Sequence, residues 1–223
     1  PDYFTEDFFN VFCKDRPDYR WMIIGPARSG STFHKDPNST SAWNAVITGS
    51  KKWIMYPPNI LPPGVFTSPD ESEVTAPVSL MEWYANYYEK TQKSNQKPLE
   101  GICHAGEIIF VPNGWWHMVV NLEDSIAITQ NFVGSHNLPN VLQFLRDRPD
   151  QISGFSSKIW PCHEEIYNAF CEKFRKAYPG VLEKLETADD SLNEFAKSSE
   201  LASSVWNKIK NCDGQNGFTF GFS

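Results

Sequence analysis

Between Tyr19 and Phe132 the chain runs in short apolar stretches, most with alternating polar positions, separated by Gly, Pro, Asn and Asp. A period of two sends successive side chains to opposite faces of a strand. That pattern predicts strands at 19–24, 31–36, 42–48, 51–56, 99–104, 107–111, 116–121 and 125–132. Pro57-Pro58 must end the fourth strand, because proline cannot donate to a sheet ladder. Residues 59–98 then interrupt the series, and their first half, with six prolines from Pro57 to Pro77, reads as loop. From Ser79 to Gln92 the period becomes helical. Ser79 caps, Glu82 three residues on completes a capping box, and Leu80, Trp83, Tyr84, Tyr87 and Tyr88 share one face. Such a helix covers the strands in the plainer expectation and forms a substrate-binding wall in the sharper one.

The flanks are helical. Phe4, Phe8 and Phe12 recur every four residues and predict a short amphipathic helix within Asp2–Phe12. Beyond Val133, helices are predicted at 139–146, from Pro161 along the stripe Ile166, Tyr167, Phe170, Phe174 and Ala177, and at 179–185, 192–197 and 199–210; residues 213–223 form a Gly-rich tail. The expected organisation is a β domain at 1–136, with its insertion at 59–98, and a helical extension at 137–223 that supplies packing or an interaction surface.

Composition narrows the class. In 223 residues, 40% hydrophobic positions and eight tryptophans suffice for one cored domain with helical additions. A net charge of −7 argues against a general phosphate-backbone binder, and direct nucleic-acid binding is not indicated. It favours encounter with a basic partner, although solubility alone accounts for it. The five cysteines are odd in number and lack a Cys-x-x-Cys pair. Reduced thiols and an intracellular location, nucleus or cytoplasm, are therefore expected, and a structural zinc site is not. No apolar run approaches a membrane span, and no secretory signal is visible. The chain begins at Pro1 rather than Met, so an N-terminal portion is expected upstream.

Candidate chemistry starts at Ser31-Thr-Phe-His34-Lys-Asp36-Pro37. On an extended segment His34 and Asp36 share a face, and an imidazole beside a carboxylate is two-thirds of the facial triad that binds non-haem Fe(II). Alone, the pair more often reads as a solvated loop. Its partner is the gapless Gly106-x5-Pro112-x-Gly114-x2-His117-x3-Asn121, the second cupin motif. There Pro112 to Gly114 makes the turn and His117 falls early on the return strand. By itself His117 reads as a core histidine, and with His34 and Asp36 it completes a metal set. These two motifs, Thr40-Ser-Ala-Trp-Asn44-Ala, Gly49-Ser-Lys51-Lys-Trp53 and Ile126-Ala-Ile-Thr129-Gln-Asn131-Phe132 together resemble the JmjC family, and within it the bifunctional arginine demethylases and lysyl hydroxylases. The resemblance covers about 20–133.

It implies a double-stranded β-helix, mainly β, that uses Fe(II) with 2-oxoglutarate and O2 as cosubstrates. Lys51 and Lys52 are adjacent, and alternation puts only one inside without saying which. The resemblance assigns the distal carboxylate of 2-oxoglutarate to Lys51 and further hydrogen bonds to Asn44, Thr129 and Ser31. Ser31 stands where the family often has Thr. Trp115 and Trp116 read as barrel packing rather than as a substrate cage. The favoured reading is hydroxylation of a protein side chain, Lys or Arg in a basic segment. N-methyl demethylation by the same iron chemistry is the runner-up. A cupin metal enzyme without 2-oxoglutarate would not need Lys51 or Thr129, and a non-catalytic scaffold would tolerate a broken triad.

Overall fold

The computed structural model describes residues 2–77, 79–183 and 185. In chain order its strands are β1 (Arg20–Gly25), β2 (Gly30–His34), β3 (Ser41–Thr48), β4 (Ser50–Tyr56), the two-residue pair β5 (Phe66–Thr67) and β6 (Val74–Thr75), β7 (Leu99–His104), β8 (Ile108–Val111), β9 (Trp116–Asn121) and β10 (Ser125–Phe132). One four-stranded sheet has the order β1-β10-β3-β8 and the other β2-β9-β4-β7, with antiparallel pairing throughout. Consecutive long strands pass from one sheet to the other except at β4 to β7, where the insertion intervenes. This is the expected double-stranded β-helix. One bound differs in a way that matters: β2 ends at His34, and Asp36 lies beyond it with an extended backbone (φ −67°, ψ 147°).

Alternation explains the two buried layers. Ala42 and Val46 of β3, Trp53 and Met55 of β4, and Val111 and Val119 fill the space between the sheets. Ile54 and Tyr56 of β4 and Trp116 and Met118 of β9 point the other way, into a second cluster with Phe33, Val65, Leu80 and Trp83. β4 and β9 are thus apolar on both faces, and something must cover the outer one. The insertion does so. Its helix runs as α1 (Leu80–Trp83), a π-helical turn (Tyr84–Tyr88) and α2 (Glu89–Lys93). Ser79 Oγ accepts from the Glu82 backbone N–H at 3.1 Å, as the capping signal implies. Trp83 is 1% exposed, and its indole N–H donates to the Pro63 carbonyl at 2.8 Å. The plainer expectation for this helix is therefore the one realised.

The aromatic N-terminal segment forms two 3-10 turns, Asp2–Phe4 and Phe8–Asp15, rather than one α-helix. Asp7 separates them, its carboxylate accepting from the Phe9 N–H at 3.3 Å. Phe4 packs on Trp43, Phe110 and Phe132, while Phe8, Phe9 and Phe12 meet Phe170 and Phe174. Those last two belong to α4 (Glu164–Ala177), which follows α3 (Leu138–Asp147). α4 starts after Pro161 because Cys162 and His163 first form a hydrogen-bonded turn to Glu165 and Ile166. The compact unit that contains both sheets extends from Pro1 to Ala177, past the boundary expected at 136, and Tyr178–Ser223 forms a second unit. The helices expected at 192–197 and 199–210 and the tail lie outside the described residues.

Cys13, Cys103, Cys162 and Cys171 are not in disulfides among the described residues, and Cys212 is outside them. No helix among the described residues is long and apolar enough to cross a membrane. Phe170 is 0% exposed and joins α4 to the N-terminal segment. Phe170→Ala should cost about 3–5 kcal/mol of stability, read as a lower urea midpoint. An unchanged midpoint would show that α4 is not part of the cooperative unit.

Candidate metal centre

β2 and β9 pair so that His34 stands opposite His117 and Ser31 opposite Val119. β2 therefore uses one residue more than β9 over this stretch, a bulge. The extra residue puts Ser31 and His34 on one face although they are three apart. The two imidazole rings lie 4.1 Å apart by centroid. His117 arrives on β9 after a turn in which Gly114 has φ +74° and the Trp115 N–H donates to the Pro112 carbonyl. One ligand atom from each of His34, Asp36 and His117 lies within 4.8 Å of the others.

Each ring is oriented by the backbone. His34 Nδ1 is 2.8 Å from the Thr32 carbonyl and His117 Nδ1 3.1 Å from the Trp115 carbonyl. A carbonyl only accepts, so Nδ1 carries a proton in both rings, and in a neutral ring the lone pair is then on Nε2. Burial, and then the neighbouring His34, push the His117 pKa down to about 4, with Asp36 opposing. His117 is neutral at ordinary pH. Its ring lies nearly parallel to Trp53 at 5.9 Å. Asp36 Oδ2 is buried without a hydrogen-bond partner. Three potential ligand atoms thus converge on one face.

The remaining predicted residues line the inside of the same barrel. Asn44 pairs with Thr129 across β3 and β10. Asn44 is buried with Oδ1 unpartnered, and Thr129 Oγ1 donates to the Trp43 carbonyl at 3.0 Å. Lys51 is 2% exposed, between Asn121 of β9 and Cys103 of β7 in register. Its ammonium donates to Asn121 Oδ1 at 2.6 Å, and no carboxylate pairs with it among the described residues. Burial lowers its pKa, with Cys103 acting the other way. Lys52 points outward, to Glu100 at 2.8 Å and the Tyr88 hydroxyl at 3.2 Å. The choice that alternation left open falls on Lys51 as the inward residue. Asn121 was legible only as the last position of a motif; its contact with Lys51 needs the β4–β9 register.

A cavity of about 1150 Å³ opens at His34 and Asp36. Its walls include Trp116, the insertion loop with Glu71, Val74 and Ala76, and the α3 face with Asn140, Phe144 and Asp147. The wall expected from the insertion helix comes from the insertion loop instead. Lys35 binds Glu71 across the opening at 2.7 Å, and Arg148 donates to the Asp70 carbonyl at 2.9 Å.

Two antiparallel sheets wound around a His-x-Asp pair and a distant histidine define a cupin-type barrel protein. Residues 4–137 match the model of the cupin-like domain family. The chain belongs to that family, in its JmjC group. It is 51% identical to the "Arginine-specific demethylase JMJ22" of Arabidopsis thaliana, over 94% of this chain and 41% of that protein. It is 37% identical to the "Bifunctional arginine demethylase and lysyl-hydroxylase psr-1" of Caenorhabditis elegans, over 62% of this chain and 36% of that protein. It is 36% identical to the "2-oxoglutarate and iron-dependent oxygenase JMJD4" of Danio rerio, over 81% of this chain and 42% of that protein. The chain spans about two fifths of the length of these curated relatives.

The buried Lys51 gives a signed pH dependence. Its folded pKa lies below the ordinary 10.5. Between those values the unfolded chain binds the extra proton, so Lys51's contribution to stability rises with pH through that window. Urea titrations from neutral pH to pH 10 should show wild type gaining on Lys51→Met as pH increases. A constant difference would mean that Lys51 is solvated.

Proposed function

We propose that this chain is the catalytic core of an Fe(II)- and 2-oxoglutarate-dependent oxygenase that acts on a basic side chain of a protein. One observation carries the reading: inside the same barrel three potential metal ligands converge and, among the described residues, no carboxylate pairs with the buried Lys51 ammonium. His34 and His117, through Nε2, and Asp36 would hold the iron. Two neutral imidazoles and one carboxylate suit a borderline divalent ion and leave coordination positions open. Bound iron, with a 2-oxo acid and O2, supplies the oxidising power for attack on an unreactive C–H bond.

The chain's own residues do the positioning. Lys51 takes the distal carboxylate of 2-oxoglutarate, which removes the cost of burying its charge alone. Asn44, Thr129 and Ser31 supply hydrogen bonds to the cosubstrate. Trp53 and Met55 keep that side of the site apolar and dry. All these residues belong to 1–136; the extension at 137–223 adds the α3 wall. At the cavity the carboxylates Glu71, Asp147 and Asp150 outnumber the cations Lys35 and Arg148, which suits a Lys- or Arg-containing segment, as does the acidic chain as a whole. Four cysteines with no disulfide among the described residues favour a reducing compartment, nucleus or cytoplasm.

Hydroxylation of a side-chain carbon is the first reading. Demethylation is the second, and the name of the Arabidopsis relative favours it. The two share their opening step. Oxygen placed on a carbon not bonded to nitrogen leaves a stable alcohol, whereas oxygen placed on an N-methyl carbon leaves a hemiaminal that collapses to amine and formaldehyde.

Lys51→Ala should weaken 2-oxoglutarate binding at least tenfold, because a charge-assisted hydrogen bond contributes about 1.5–3 kcal/mol. Lys52→Ala, on the outer face, should change it little; the reverse ranking in a titration would overturn the cosubstrate assignment. For the reaction, the protein is incubated with Fe(II), 2-oxoglutarate, O2 and basic, acidic and N-methylated peptides, and products are read by mass spectrometry. A basic peptide gaining one oxygen supports hydroxylation, and loss of a methyl with formaldehyde supports demethylation. Asp36→Ala should lose both while keeping its circular-dichroism spectrum. Turnover by Asp36→Ala, or turnover of free small molecules alone, would sink the reading.

A further inference from the structure

The carboxylate arm of the candidate centre is held differently from its histidines. Each imidazole is oriented by a carbonyl two residues back, whereas Asp36 Oδ2 has no partner. Asp36 also sits beyond the end of β2, so no ladder fixes it. Its position depends on the turn that follows, Pro37–Ser39. In that turn Asn38 has φ +54° and Ser39 φ +55°, two successive non-glycine residues in the left-handed region. Such geometry persists only where surrounding contacts impose it.

The contact that imposes it is Asn38 itself. Its side chain is buried, and it makes two reciprocal bonds to one distant residue. Nδ2 donates to the Ser153 carbonyl at 2.9 Å, and Oδ1 accepts from the Ser153 N–H at 3.0 Å. Asn137 Nδ2, donating to the Ser39 carbonyl at 3.3 Å, ties the next residue. Ser153 lies in the connection between α3 and α4, outside the barrel.

We propose that Asn38 is a positioning residue for Asp36, through which the α3–α4 connection at Ser153 sets the affinity of the centre for its metal. The inference rests on the metal reading given above. Asn38 touches no reacting atom. It closes a two-point amide clamp on a backbone segment of the helical extension, and that clamp holds the turn that aims the carboxylate. The extension therefore takes part in the site as well as in packing.

The test is anaerobic Co(II) binding, followed by titration calorimetry and by the visible ligand-field spectrum. Wild type, Asp36→Ala, Asn38→Ala and Asn38→Gly are compared at a temperature where circular dichroism shows each folded. Asn38→Gly removes the clamp but tolerates positive φ, so it covers the case in which Asn38→Ala fails to fold. We expect both Asn38 variants to bind Co(II) at least tenfold more weakly and to shift the spectrum towards that of Asp36→Ala. Folded Asn38→Gly with the wild-type affinity and spectrum would overturn this inference alone. Wild type that binds no Co(II), or Asp36→Ala that binds as wild type does, would overturn the metal reading and this inference with it.

Discussion

The site depends on the pairing of β2 with β9. Antiparallel pairing fixes which residues stand opposite each other, and here it sets two histidines far apart in sequence at one point of the sheet. The bulge in β2 adds a third residue to the same face, because one extra position inverts the alternation that would send Ser31 outward. Everything else at the centre is supported from this pair. The ring orientations come from the Thr32 carbonyl of β2 and from the Trp115 carbonyl in the turn before β9, and the flat face of Trp53 closes the side towards β4.

A barrel interior that carries Asn44, Lys51 and His117 among Val, Trp and Met is an expensive one. A buried polar atom without a partner costs stability, and Asp36 Oδ2 and Asn44 Oδ1 are two such atoms. The fold offsets that cost elsewhere. The inter-sheet cluster, the second cluster beneath the insertion helix and the aromatic layer joining the N-terminal turns to α4 are all dry and closely packed. Unpartnered buried atoms are not confined to the site: Trp53, Tyr56 and Trp116 carry others within the two apolar clusters.

The legible part of the molecule was the part governed by local period. The long strands, the capped insertion helix and the metal motifs follow from alternation and from Gly and Pro placement. What was not legible needed a partner distant in sequence. Whether Lys51 or Lys52 points inward depends on neighbours in β7 and β9. The Asn38 clamp ends on backbone atoms of Ser153, and a backbone partner leaves no mark in the sequence. The phenylalanine spacing near the N-terminus fits a helix, but it does not reveal that Asp7 interrupts it with its own hydrogen bond. The insertion helix was placed correctly along the chain, while the surface it covers followed from β4 and β9 being apolar on both sides.

The adjacent lysines of β4 have a consequence for how the barrel assembles. Lys51 is satisfied by an amide inside, and Lys52 by a carboxylate and a phenol outside. A slip of one residue along β9 would exchange them. Lys52 would turn inward, away from Glu100 and Tyr88, and Asn121 would stand opposite Lys52 or Ser50, depending on the direction of the slip. The outer contacts of Lys52 are lost in either direction, so the pair favours the native register. Two neighbouring charges of like sign, unremarkable on a surface, thereby make one alignment of the strand stand clear of its nearest competitors.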